Sequence, residues 1–387
     1  MKNSQIIIGI DLTKFNGRMD LGIGRYIDGL MQGFATHSPF SCGIIIFTDQ
    51  NILIDSNARF PSSETIPVQI RHSFFIKILL AFAFLLSSSK LLSLVRNFQY
   101  KKVSAVIENR VDCLYTPTTY LNFKTKFIPT LVSIHDIQHY SLPNNFKFLE
   151  RMRRRLNTRF TINEASLIQV SSDFVAAEIL QFFPHKTEKS LIKIPEGINK
   201  DTFHFQDKKY SKEIKIFMPA FAWHHKNHNL LFRAVEMLPR QTQIKVYLTV
   251  TKEDILSLDI DLPIRNLDML VFLGRISTED LEVLFQETNY LLSCSLYESS
   301  SLPILEGIAC GNAILASSIP AHLEMAREYE IQLFDPLDHT DLLRTLLSLE
   351  ASDFGVTARN NYALDSVEWA LIAKMYIDCL VKLEQSI

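Results

Sequence analysis

Two carboxylates eight positions apart frame the stretch of this 387-residue chain best equipped for chemistry, Tyr297-Glu298-Ser299-Ser300-Ser301-Leu302-Pro303-Ile304-Leu305-Glu306-Gly307-Ile308-Ala309-Cys310-Gly311. An apolar run at 289–295 precedes it and reads as a short buried strand. The apolar run that follows carries helix signals: Pro303 suits a first helical position and Gly311 the C′ position. A strand opening through a Ser-rich loop into a helix makes an anion cradle, because the loop and first-turn N–H groups lack intrahelical partners and the helix dipole favours negative charge. A carboxylate beside a phosphate is costly unless it serves something else, and sugar hydroxyls are the natural recipient. Glu298 and Glu306 around such a cradle describe a phosphate between two hydroxyl-bearing groups, as in a nucleotide-sugar. Taken on spacing alone, the same residues also fit an ordinary helix with two surface glutamates.

The elements that must position these groups read as α/β. Apolar runs at Ile6–Ile10, Gly43–Phe47, Cys113–Tyr115 and Thr130–Ile134, with helical patterns between some of them, read as strands, and Leu167–Val170, Leu191–Ile194, Ile214–Met218, Lys245–Val250 and Met269–Leu273 read as further strands. After the first run come Gly22 and Gly24, which let backbone approach a ligand, then Arg25 and a helical pattern to Phe34. The fourth run ends in His135-Asp136-Ile137-Gln138-His139, polar groups just past the carboxyl end of a strand, where open α/β sheets bind ligands; Asp136 equally suits capping of the next element. Ile214–Met218 leads into Pro219-Ala220-Phe221-Ala222-Trp223-His224-His225-Lys226-Asn227-His228. His224 and His228 stand at i, i+4, but no Glu follows the first, so the zinc pattern fails. Asp259-Ile260-Asp261 lies in a charged connector and reads as surface.

These segments together resemble the family-4 retaining glycosyltransferases of the GT-B fold: the Glu298-x7-Glu306 spacing with Ala309-Cys310-Gly311, a Trp223-His224-His225-Lys226-Asn227-His228 segment, the His135–Pro143 run, Pro195-Glu196-Gly197-Ile198, and Ser317-Ser318-Ile319-Pro320 before Phe334-Asp335-Pro336. The resemblance covers nearly the whole chain, with its specificity concentrated in 214–336. It implies that Glu298 approaches the donor sugar, Glu306 binds the ribose hydroxyls, Ser301 and Leu302 place backbone amides on the phosphates, Lys226 reaches the diphosphate with His225 as a secondary candidate, Gly274 and Ile276 border the base, and His135, then His139, faces the reacting sugar. Gly22, Gly24, Arg25 and Asp136 would lie at the mouth of the interdomain cleft. The chain departs from the family in carrying Ser299-Ser300-Ser301 where Gly-Phe-Gly is common, and it lacks the family's Arg a few residues before Lys226.

The expected fold is therefore α/β, with two doubly wound Rossmann-like domains facing a cleft (GT-B). Residues 1–199 form the acceptor domain, completed by a C-terminal helix within 366–387; 200–212 is a linker and 213–365 the nucleotide-sugar domain. The implied reaction moves a sugar from a GDP-, UDP- or dTDP-sugar to the hydroxyl of a glycan or lipid-linked glycan, with retention and without a metal or other cofactor, in surface polysaccharide or lipopolysaccharide assembly. Alternatives are a non-catalytic nucleotide- or partner-binding protein of this fold, and a nucleotide-sugar epimerase. A formal net charge of −2 gives no general pull towards nucleic acid, and none is expected as a partner. Five scattered cysteines without a C-x-x-C pair fit buried thiols in a reducing compartment, and the N-terminus reads as a strand rather than a leader, so the expected place is the cytoplasm. Phe74–Leu86, too short to span a bilayer, fits either a core helix or an interfacial one. With the basic positions to Lys102 and the Arg-rich 150–159, a peripheral contact with the inner face of a membrane is the second reading; for 150–159 the first is a solvated helix face.

Overall fold

The computed structural model describes residues 5–15, 22–49, 63–70, 73–205, 212–349, 364 and 366–386. The centre of the expected linker, 206–211, and Asp20-Leu21 ahead of the glycine pair lie outside the described residues. Packing divides the chain into two compact units, Met1–Gly197 with Trp369–Ile387, and Ile198–Glu368.

The first unit is a seven-stranded parallel sheet: β1 (Ile6–Leu12), β2 (Cys42–Asp49), β3 (Glu64–Val68), β4 (Cys113–Thr116), β5 (Thr130–Ser133), β6 (Leu167–Val170) and β7 (Leu191–Lys193), in the order β3-β2-β1-β4-β5-β6-β7. The second is a six-stranded parallel sheet of β8 (Ile214–Met218), β9 (Ile244–Leu248), β10 (Leu270–Phe272), β11 (Tyr290–Ser293), β12 (Ala313–Ser317) and β13 (Ile331–Phe334), in the order β10-β9-β8-β11-β12-β13. Strands covered on both faces must be apolar throughout, and Ile8, Ile10, Leu12, Leu114 and Tyr115 are fully buried. In each sheet the strand order reverses once, between β1 and β4 and between β8 and β11. Loops leaving the carboxyl ends of those strands part in opposite directions, and the space between them is where such sheets receive ligands.

Three strands escape the sequence pattern. β3 holds Glu64 and Pro67, acceptable only on an edge; β13 is a second edge strand, and β12 is disguised by its small residues, Ala313, Ala316 and Ser317. Helix α1 (Gly22–Ser41) runs beyond Phe34. The start of the expected linker is not one: Phe203 is buried and sets its ring edge-on to Phe285 of the second unit at 5.5 Å.

The stretch 74–86 forms helix α2 (Phe74–Leu85), followed by α3 (Ser89–Glu108) and, further on, α4 (Phe148–Glu164). The core-helix reading of 74–86 fails for most of its length: only Ile76 and Ala83 are buried, while Phe74, Phe75, Phe82, Leu85 and Leu86 are exposed. One packed face suffices to hold the helix on the unit, and the opposite face is equally apolar.

The C-terminal helix α8, Trp369–Gln385 (α5 to α7 belong to the second unit and are placed below), belongs to the first unit and packs along α1. A hydroxyl cluster pins it: Tyr26 Oη stands 2.9 Å from Tyr115 Oη and 2.5 Å from Tyr376 Oη, and Tyr115 is 2.7 Å from Ser133 Oγ. The helices approach closely because α1 offers glycines. A Cβ at Gly33 would sit 2.3 Å from the Trp369 carbonyl oxygen, backbone that cannot swing aside. Gly33→Ala should therefore cost about 1–3 kcal/mol, read as a lower urea midpoint; an unchanged midpoint would show that the two helices do not pack this way.

Candidate functional site

In the second unit the strand order reverses between β8 and β11, and the loops that leave those two strands carry Lys226 and Glu298. The β8 loop ends in a single helical turn, His224–Lys226, then Asn227 in the left-handed conformation (φ 55°), then α5 (His228–Met237). Asn227 tolerates that conformation and its amide donates to the Pro336 carbonyl at 2.9 Å, locking the turn. The β11 loop is tied to it by backbone: Leu296 N–H donates to the His225 carbonyl at 2.7 Å.

This brings Lys226 Nζ to 2.5 Å from Glu298 Oε1, with the two side chains only 16% and 15% exposed. Ser295 Oγ donates to the same carboxylate oxygen at 2.6 Å. Burial by itself would push the Glu298 carboxyl up, but the Lys226 ammonium and the hydrogen bonds from Lys226 and Ser295 outweigh it, and the net shift is down. Glu298 is thus held as a carboxylate. An ammonium has three N–H donors, so Lys226 can grip Glu298 and still address an anion.

Behind the pair lies support that the sequence reading missed. Ser317 Oγ, at the end of β12, donates to the Ser295 carbonyl at 2.5 Å, and His322 of α7 (Pro320–Met325) has Nδ1 2.8 Å from the Ser317 carbonyl. Ser317 ends β12 and Ser295 lies two residues past the end of β11, the one signal that marked them. Helix α6 (Leu302–Ala309) starts beside Glu298, with Leu302 rather than Pro303 as its first residue. The Ser301 hydroxyl makes no cap to this helix. No residue of Ser299–Ser301 has positive φ, so serine meets no conformational penalty where glycine is common in the family resembled. Glu306, on the same helix, is 3% exposed. Gly274 does use its freedom, at φ 68°, where the chain turns after β10, but Ile276 packs into the core cluster around Phe285 and Ile304. His225 is half-buried, its ring 5.5 Å from that of Trp223. Asp259 and Asp261 are exposed, and among the described residues no group of three or more His, Cys, Asp or Glu is placed to hold a metal ion.

In the first unit His135 follows β5, with Nε2 2.8 Å from the carbonyl of Pro117, which follows β4, and its ring edge-on to Tyr26 at 4.7 Å. Burial pushes its pKa below 6.5, so the ring is neutral: Nε2–H donates to Pro117, and Nδ1 carries the lone pair. Asp136 accepts Gln138 N–H at 3.0 Å in a turn just ahead of the short helix, whose N-cap is Ile137. Burial lowers the Arg25 guanidinium pKa to about 10, an effect that the nearby Glu196 carboxylate partly offsets. Gly22 is exposed and Gly24 buried, at the start of α1. His139 does not join the others: it is fully buried under α4, 3.1 Å from Thr158 Oγ1, because the short helix Gln138–Ser141 turns it inward.

Five histidines share one electrostatic fate. Burial lowers the pKa of His135 and His322, and it lowers His225 and His228 to about 4 with Lys226 adding to the effect; His139 goes to about 3, with Arg154 and Arg155 assisting burial. As pH falls the unfolded chain takes up protons near 6.5 and the folded one does not, so the stability these rings contribute is whole above about pH 6.5 and drains towards about pH 4. The melting midpoint should fall across that window, and His228→Asn should flatten the dependence by an amount on the order of 2 kcal/mol. A midpoint that ignores pH here would contradict the buried neutral rings.

Residues 199–363 match the family model "Glycosyl transferases group 1". The O-antigen chain mannosyltransferase RfbU of Salmonella typhimurium is 20% identical over 60% of this chain, and the match spans 64% of that protein's length. Among solved structures, sucrose-phosphate synthase from Thermosynechococcus elongatus superposes with a TM-score of 0.71 at 17% identity, covering 99% of this chain and 100% of that one. Anabaena HepE in complex with UDP and glucose gives 0.69 at 13%, covering 98% and 100%. At these identities the structural likeness is one of fold. The chain has the two-domain Rossmann-like GT-B fold, and its second unit carries the sequence pattern of group 1 glycosyltransferase domains.

Proposed function

We propose that this protein is a retaining glycosyltransferase that moves a sugar from a nucleoside-diphosphate sugar to an acceptor hydroxyl in lipopolysaccharide or surface-polysaccharide assembly. The observation that carries the reading is the Lys226–Glu298 pair, standing where the strand order reverses and beside the start of α6. A cation and a carboxylate side by side suit a ligand that joins a phosphate to a sugar. The RfbU match and the HepE complex with UDP and glucose support the same class.

In this reading the second unit holds the donor. Lys226 and the amides at Ser301 and Leu302 take the diphosphate, Glu306 the ribose hydroxyls, Glu298 the sugar hydroxyls, and Gly274 lies along the base. The barrier falls because preset donors meet the negative charge that grows on the leaving diphosphate as the glycosidic bond breaks. With Lys226 and a helix N-terminus on the diphosphate, no divalent cation is needed. The first unit holds the acceptor, with His135 orienting the reacting sugar through Nδ1.

The experiment is thermal unfolding with UDP, GDP, dTDP, CDP and ADP in the presence of a chelator, followed by transfer assays with the matching sugar. One nucleotide at about 100 times its dissociation constant should add roughly 2.7 kcal/mol to the folded state. Lys226→Ala and Glu306→Ala should abolish that shift, and Lys226→Ala should lower turnover by about 100-fold or more. Full activity in both variants would sink the assignment, and donor conversion without an acceptor would identify an epimerase instead.

A further inference from the structure

Helix α2 is apolar on both sides. Ile76 and Ala83 face inward, with Leu80 and Phe84 packed on the cluster that contains Leu92, Leu156 and Phe160. Phe75, Phe82 and Leu85 share the outward face with Ile78, and they are 64%, 55% and 71% exposed. A helix apolar all round belongs inside something, and patches of this kind mark interaction sites. Its 12 residues rise about 18 Å, short of the roughly 30 Å of a bilayer core, and among the described residues no helix is long and apolar enough to cross a membrane.

The neighbours of α2 decide what covers it. Helices α2, α3 and α4 pack together and carry ten basic against three acidic residues, in a chain whose formal net charge is −2. On α3 an exposed row runs Lys90, Leu94, Phe98, Lys102 at four-residue spacing, with Leu94 67% and Phe98 52% exposed. At the start of α4, Lys147, Phe148, Leu149 and Arg153 repeat the mixture. Much of the rest of the Arg run is spent inside the unit: Arg154 on Glu150 and Phe146, Arg155 on Tyr140. Exposed aromatic and aliphatic side chains interleaved with cations match the depth profile of a lipid interface, with rings at the acyl boundary and ammonium groups at the phosphates. A second copy of the chain would set the same cations against themselves in a two-fold contact.

We propose that the outward face of α2, with the basic margins of α3 and α4, docks this protein on a bilayer containing anionic phospholipid. The inference does not depend on the glycosyl-transfer reading, because vesicle binding needs no substrate.

The test is flotation of the full chain with vesicles of phosphatidylcholine alone and of equimolar phosphatidylcholine and phosphatidylglycerol. The protein should float with the anionic vesicles, less with the neutral ones, and lose part of its binding as salt is raised. Phe75→Glu with Phe82→Glu should lower the partition coefficient by at least about tenfold per residue, since each ring removes more than a tenfold share of apolar transfer energy. Lys90→Glu with Lys102→Glu should weaken binding at low salt and hardly at high salt. Melting curves confirm that the variants fold; should either unfold, the comparison of vesicles with wild-type protein still decides. No flotation with anionic vesicles overturns the proposal, as does equal flotation of wild type and the double Phe variant. A stable dimer abolished by the Phe substitutions, without flotation, assigns the face to a second copy instead.

Discussion

The ion pair between Lys226 and Glu298 is the constraint on which the arrangement of the second unit's loops depends. Two charges drawn mostly out of water lose hydration worth several kcal/mol each, and their mutual attraction returns that only with good geometry and further hydrogen bonds. The geometry is supplied from four places: the β8 loop, the β11 loop, the end of β12 through Ser317, and α7 through His322. So many supports around one pair are hard to explain as a stability device, since an apolar pair of similar volume would serve as well. They make sense as a means of holding a carboxylate and an ammonium in fixed, opposite states before a ligand arrives. Preset charge of this kind needs no reorganisation when charge develops in a reaction.

The first unit has the same strand-order reversal and answers it with different chemistry. Where the second unit places charges, the first places phenols and a neutral imidazole: Tyr26, Tyr115, Tyr376 and Ser133 share hydrogen bonds beneath His135. Burial disfavours ionisation of all three phenols, and Tyr26 is pushed up to about 12. The hub joins α1, two strands and the C-terminal helix α8, so the last residues of the chain reach the floor beneath His135. One topology thus supports an electrostatic site in one unit and a shape-defining, neutral one in the other.

Central strands and the loops behind them were legible in the sequence. Ile6–Ile10 is a continuous apolar run because parallel strands are covered on both faces, Leu167–Val170 and Ile214–Met218 are apolar but for Gln169 and Lys215, and past Thr130–Ile134 polar residues resume at His135. His135 stood out for that reason, whereas Glu298 was marked by its spacing to Glu306 and Lys226 by the family resemblance. What could not be read was anything decided by partners distant in sequence. Ser317 contacts Ser295 across 22 positions, and Glu196 tempers Arg25 from the far end of its unit. His139 looked like a twin of His135, four residues away, yet one ring lies between strand ends and the other under α4. The edge strand β3, with its proline and charge, gave no strand pattern because only one neighbour needs its backbone.

Helix α2 shows the limit of periodicity most sharply. An apolar repeat states that a face avoids water; it does not state whether protein or lipid replaces the water. The residues facing inward and those facing outward are drawn from the same types, Phe, Ile and Leu, so side-chain character alone does not tell one face from the other. The distinction enters only with the surroundings. The core beneath α2 is already closed by Leu92, Leu156 and Phe160, and the surface beside it is ringed by lysine and arginine rather than by the mixed signs of an ordinary solvated face. Cations collected at the margin of exposed rings lower the free energy of contact with an anionic surface and raise it for contact with a like-charged one. The charge pattern, not the apolar pattern, therefore selects the medium this face is built to meet.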